Sequence, residues 1–164
     1  MRLKIIFTFL IVFVLAAAAS AQTKISGTLQ CGKPDEVHAI QVGDRPNHSF
    51  AIDQVKCTWT KPMEIAGAQT KEDVYTGFSE VRGNRSNGHS YGLITMANGD
   101  KCYVRLQGLS TLKDGMLESA ENKWTLTGGT GKFKGIKGKG TGKGKGAADG
   151  TSTWETEGEY ELPK

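Results

Sequence analysis

From residue 22 onward, no stretch of the chain keeps apolar residues at helical spacing. Apolar and polar positions alternate instead, and Gly, Asn, Asp and Pro punctuate the alternation about every 8–12 residues. The pattern predicts strands at roughly 24–31, 36–42, 49–59, 73–82, 89–97, 101–110, 116–127, 132–146 and 152–162. Such a series predicts an all-β protein, an antiparallel calycin-like barrel of eight or nine strands.

Three turns predict register. Asn98-Gly99 reads as a two-residue hairpin loop. It pairs Ala97 with Asp100, Thr95 with Cys102, Leu93 with Val104 and Tyr91 with Leu106, all on one apolar inner face. Lys113-Asp114-Gly115 reads as a three-residue loop pairing Leu112 with Met116. Val104 then lies opposite Trp124 and Cys102 opposite Leu126, so Cys102 is expected as a buried, inert thiol. Ala148-Asp149-Gly150 reads as a second three-residue loop. It sets Lys137, Lys139 and Lys143 against Glu161, Glu159 and Glu155 on one face. On the other face Trp154 and Tyr160 cover Gly144 and Gly138.

The first 21 residues follow a different rule. Arg2 and Lys4 precede a run that is apolar from Ile5 to Ala19 except for Thr8, and Ala19-Ser20-Ala21 is a small-x-small cleavage site. Residues 1–21 are read as a signal peptide cleaved after Ala21, and 22–164 as one domain, periplasmic or secreted, with no membrane span in the mature form. This changes the composition that matters: the remaining chain is about 31% apolar, and its formal charge falls from +4 to +2. Net charge therefore requires no anionic partner.

Cys31, Cys57 and Cys102 are an odd number, which in an oxidising compartment favours one disulfide and one free thiol. Three pairings exist, of which Cys31–Cys57 is preferred because both residues follow early strands in polar surroundings. None shows C-x-x-C spacing, and His38, His48 and His89 lack H-x-H or H-E-x-x-H spacing, so no metal or cofactor is expected. His48 and His89 lie in polar segments and are expected to be exposed.

Gly128–Gly146 holds nine Gly and six Lys. None of its Gly-Lys steps is followed by Ser or Thr as a phosphate loop requires. Four glutamates downstream match its lysines, which disfavours a nucleic-acid arm and favours a curved strand with a solvated charge ladder. Within it, Gly128-Gly129-Thr130-Gly131-Lys132-Phe133-Lys134-Gly135 followed by Ile136-Lys137-Gly138 resembles the G-G-T-G-x-[FY]-x-G-x-x-G stretch of the allene oxide cyclase and dirigent barrel superfamily. It is also similar to small exported bacterial proteins of unknown function. The motif spans 11 residues, and a looser match reaches Leu162. The resemblance implies an eight-stranded barrel with a central cavity and Phe133 directed inward. Plant members act on hydrophobic small molecules, but their catalytic residues have no counterparts here that can be placed.

By register, Tyr91, Trp124, Phe133, Trp154 and Tyr160 point inward, as walls of a ligand pocket or as plain core. Glu80 shares parity with Phe78 and Thr76. If it faces inward, burial raises its pKa and suits it to acid–base work. Asp73, Arg82, Arg85 and Arg105 are further polar candidates at a barrel mouth, with Arg105 expected outward. The leading expectation is an exported barrel that binds one small apolar or amphipathic molecule in its interior. Two alternatives stand beside it: a cofactor-independent cyclase or isomerase, implied by the resemblance alone, and an envelope-interaction protein using the lysine face. Ligand identity and oligomeric state are open at this level.

Overall fold

The computed structural model describes residues 22–163, so the signal peptide read at 1–21 lies outside the described residues. Ten strands follow in chain order. They are β1 (Thr23–Cys31), β2 (Glu36–Gln41), β3 (His48–Lys61), β4 (Glu64–Ile65), β5 (Ala68–Arg82), β6 (Arg85–Met96), β7 (Lys101–Lys113), β8 (Met116–Gly129), β9 (Lys137–Gly146) and β10 (Ser152–Glu161). Eight of them close an antiparallel barrel in the order β1-β10-β9-β8-β7-β6-β5-β3 and back to β1. The two extra strands decorate it. β2 pairs with Ser49–Gln54 of β3, below the stretch of β3 that pairs with β1. β4 forms a small hairpin with the start of β5, where Ala66 and Gly67 both take positive φ. The sequence pattern misses β4, and it merges a 3-10 turn at Gly131–Phe133 into a single strand 132–146 that in fact begins at Lys137.

The β9–β10 register is the expected one along its whole length, including Lys139 opposite Glu159 and Tyr160 opposite Gly138. Of the register-matched Lys–Glu pairs, Lys139–Glu159 closes to ion-pair distance, at 3.5 Å. Trp124 lies against Gly140 and Gly158, where any Cβ would collide with its ring and with a backbone carbonyl. Bare backbone at those positions is what admits a tryptophan to the interior.

The two other turns exchange the roles the sequence suggests. Asn98-Gly99 is part of a three-residue loop: the Met96 N–H donates to Asp100 O, the Gly99 N–H donates to Met96 O, and only Gly99 has positive φ. This is a type I turn closed by a left-handed glycine. It pairs Ile94 with Cys102 and Gly92 with Val104, one residue off the expected register. A one-residue shift reverses every side chain of β6. Tyr91 and Leu93 therefore face outward, and Ile94 is buried in their place. In contrast, Asp114-Gly115 is a two-residue loop with both residues at positive φ, pairing Lys113 with Met116. A bulge between Thr111 and Leu112 restores the parity, so Leu106 faces Trp124 and Val104 faces Leu126. Cys102 is fully buried as expected, though opposite Gly129.

One end of the barrel is closed. The β4 segment folds across it and contributes Met63 and Ile65 to the core, beside Met96, Phe133, Ile136 and Tyr160. The Ala66 N–H donates to the Tyr160 hydroxyl at 2.9 Å, and Lys132 Nζ donates to Ala66 O at 2.6 Å, which pins the segment to the far side of the barrel. At the seam between β1 and β3, Cys31 and Cys57 are direct cross-strand partners and form a disulfide. Such a link suits an oxidising compartment. Among the described residues no helix is long and apolar enough to cross a membrane.

Candidate functional site

The inward positions of the middle strands change character along the barrel. Toward the closed end they are Tyr75, Ile94, Val104 and Leu126. Toward the other end they are Gly77 and Ser79 on β5, Ser86, Gly88 and Ser90 on β6, Gly108 and Ser110 on β7, and Gly142 on β9. Small side chains on adjacent strands leave the centre unfilled. The result is a cavity of about 660 Å³ that reaches the turns at Gly32–Pro34, Gly115–Leu117 and Ala148–Gly150. Its apolar and aromatic lining includes Leu29, Val55, Trp59, Tyr75, Leu106, Trp124 and Trp154.

The aromatic N–H and O–H groups of that wall are already committed to protein acceptors. Trp124 Nε1 donates to Thr156 Oγ1 at 2.9 Å, and Trp154 Nε1 donates to Ser152 Oγ at 3.0 Å. Trp59 Nε1 donates to Asp73 Oδ1 at 2.8 Å, and the Tyr75 hydroxyl donates to Asp73 Oδ2 at 2.7 Å. Among the described residues, Asp73 is the one carboxylate sealed in the core. Burial drives its pKa up to about 6 against the opposing pull of its two donors. Burial, and next the charge of Asp73, pushes the Tyr75 hydroxyl well above its ordinary value. Burial likewise pushes the Cys102 thiol up to about 12, so it is no nucleophile at neutral pH.

Asp53 is different. It lines the cavity, and burial alone raises its carboxyl above the ordinary value. Asn122 also lines the cavity, and its Oδ1 is buried without a donor. Neither residue stands out in the sequence, because a single Asp or Asn in a strand carries no signature. The signal that was available is the recurrence of Gly and Ser at one parity in 77–79, 86–92 and 108–110, which marks an empty interior. Among the described residues no cluster of three His, Cys, Asp or Glu is placed to hold a metal ion.

The expected pocket residues divide three ways. Trp124 and Trp154 line the cavity. Phe133 and Tyr160 point inward but are packed into the closed end, filling it rather than facing open space. Tyr91 and Glu80 are corrected to the outer face. Tyr91 is 58% exposed because of the β6 register shift, with the Arg105 guanidinium 5.2 Å from its ring centre. Arg105 is outward as expected. Glu80 faces Phe50 on β3, on the outward parity of β5. It accepts from Arg82 and lies 2.8 Å from His48 Nε2, and these contacts, His48 first, hold its pKa below the ordinary value rather than above it.

His48 is likewise corrected from exposed to buried, at 5% exposure. Its Nδ1 lies 2.5 Å from Asp44 Oδ1 while Nε2 faces Glu80. Two carboxylates on two ring nitrogens favour the imidazolium, so the His48 pKa is raised, by Asp44 first, and that of Asp44 is held at about 2. The cluster ties the β2–β3 loop to β5 on the outside of the barrel, and none of its members lines the cavity.

No protein-family model matches the chain, and no curated protein matches it. Among solved structures, the fold is similar to that of a protein of unknown function from the DUF3224 family of Shewanella oneidensis MR-1. The TM-score is 0.50 at 14% identity, over 88% of this chain and 99% of that one. A second structure, pyocyanin demethylase, gives a TM-score of 0.43 at 18% identity, over 81% of this chain and 98% of that one. At 14% identity the likeness to the first of these is one of fold alone.

Proposed function

We propose that the protein is an exported binding barrel that holds one small, mostly apolar molecule in its interior. The observation that carries this reading is the cavity of about 660 Å³, apolar in its depth and open toward the turns at one end. That volume lies within the range of about 300–1,000 Å³ typical of small-molecule sites. The leader-like residues 1–21 and the disulfide support export. The resemblance of Gly128–Gly138 to allene oxide cyclase and dirigent barrels supports the same class of ligand.

Mass spectrometry of protein purified from its native compartment tests the proposal. A bound mass present under native conditions and lost on denaturation is expected. A bare native mass, together with no uptake of a neutral apolar dye such as N-phenyl-1-naphthylamine, overturns it.

A second reading draws on one observation, the buried acid Asp73 hydrogen-bonded to the cavity-lining Tyr75. It is cofactor-independent cyclase or isomerase chemistry on the bound molecule. Chemical conversion of the recovered ligand by wild type, abolished in Tyr75→Phe, would support it. Recovery of the ligand unchanged after incubation with wild type sinks it.

A further inference from the structure

The cavity's polar lining includes the hydroxyls of Ser79, Ser86, Ser90 and Ser110, which can donate or accept. Its indole N–H groups and its tyrosine hydroxyl all donate to protein acceptors. Its acceptors are not all used. Asp53 has no ion-pair partner among the described residues, and Asn122 Oδ1 has no donor. The rim lysine, Lys33, lies over Gly150 in the opposite turn, where its charge acts on Asp149. A half-buried carboxylate without a partner is unfavourable for the empty protein, and a cation brought to it recovers the interaction.

The surroundings of Asp53 leave room for such a group. Directly across from it on β5 is Gly77, and beyond Gly77 on β6 is Ser90, so the wall beside the carboxylate is bare backbone and a hydroxyl. One step deeper are Val55 and Tyr75. A ligand seated here meets an acceptor near the mouth and an apolar, partly aromatic wall below it.

We propose, building on the binding-barrel reading, that the cavity selects an amphipathic organic cation, with an apolar or aromatic body in its depth and a protonated nitrogen against Asp53. A ligand with an anionic head seated beside Asp53 would meet it with like charge.

Three fluorescent probes of similar size test the proposal by titration into the mature protein at pH 7 and fixed salt: acridine orange as the cation, N-phenyl-1-naphthylamine as the neutral probe, and 1-anilinonaphthalene-8-sulfonate as the anion. The expected order of affinity is cation, neutral, anion. Asp53→Asn, nearly the same shape, is expected to weaken the cation about tenfold and to leave the neutral probe within about twofold. Binding of the neutral probe with no preference for the cation overturns this inference and leaves the binding barrel standing. So does an equal effect, or none, of Asp53→Asn on both probes. Absence of binding by all three overturns this inference, and together with a bare native mass it overturns the binding barrel as well. Should Asp53→Asn fail to fold, the order of the three probes on wild type decides alone.

Discussion

At the closed end, the inward positions of β6, β7 and β8 carry Ile94, Met96, Cys102, Val104 and Leu126. Toward the mouth, the same three strands carry Ser86, Gly88, Ser90, Gly108, Ser110 and Asn122. The strands pair through both halves, without a shift in β6–β7 and with one bulge near each end of β7–β8, so the main difference lies in the side chains. One half supplies hydrophobic burial, and the other gives up burial to leave space. Only about 31% of the residues after position 21 are apolar, and those that are buried gather mainly at the closed end. A small barrel can be hollow only if stability is supplied by another part of it.

This contrast can be broken by experiment. The largest expected effect is from Phe133→Ala. Phe133 is fully buried among the closed-end residues, and its loss should lower unfolding free energy by about 3–5 kcal/mol in denaturant titration. Next is the pH dependence of Asp73. Its folded pKa of about 6 lies above the ordinary value of 3.8, so the native state holds a proton that the unfolded chain has released across that interval. Asp73 therefore lowers stability as pH rises from about 4 to about 6, by roughly 3 kcal/mol at about 1.4 kcal/mol per pKa unit. The difference between wild-type and Asp73→Asn stability curves isolates this from the His48 cluster, and it should fall through that window and be flat above it. The smallest expected effect on stability is from Ser110→Leu. A larger side chain there enters empty space, so stability should change by less than about 1 kcal/mol while uptake of the neutral probe is lost. If Ser110→Leu destabilises as much as Phe133→Ala, the mouth half is packed and the division fails.

Much of the fold is legible in the sequence, and the reasons differ by hairpin. β9 and β10 announce their register because charge complementarity and the Gly–aromatic facing agree on both sides of one turn. β6 and β7 do not. The dipeptide Asn98-Gly99 suits two loop lengths, and alternation continues on either face of β6, where Tyr91 and Leu93 compete with Gly92 and Ile94. Placing Tyr91 inside follows from reading Asn98-Gly99 as a two-residue loop, a reading with which the bulk of Tyr91 and Leu93 agrees. Glu80 misleads in a related way, since Phe78 beside it is apolar yet exposed. The acids Asp53, on the cavity wall, and Asp73, sealed in the core behind it, acquire their character from what folds over them, and nothing in their immediate sequence states it.

The position of β1 has a consequence for how the chain reaches its native state. This first strand hydrogen-bonds on one side to the last strand and on the other to β3. The barrel therefore cannot close before its C-terminal residues exist, and its final seam joins the most distant parts of the sequence, a slow, high-contact-order event. The β1–β3 seam needs only residues up to Lys61, and the Cys31–Cys57 bond can lock it without the remainder. An oxidised N-terminal pair with an open edge would then wait for β10, and the interval until β10 docks is when that edge is exposed to pairing with another chain.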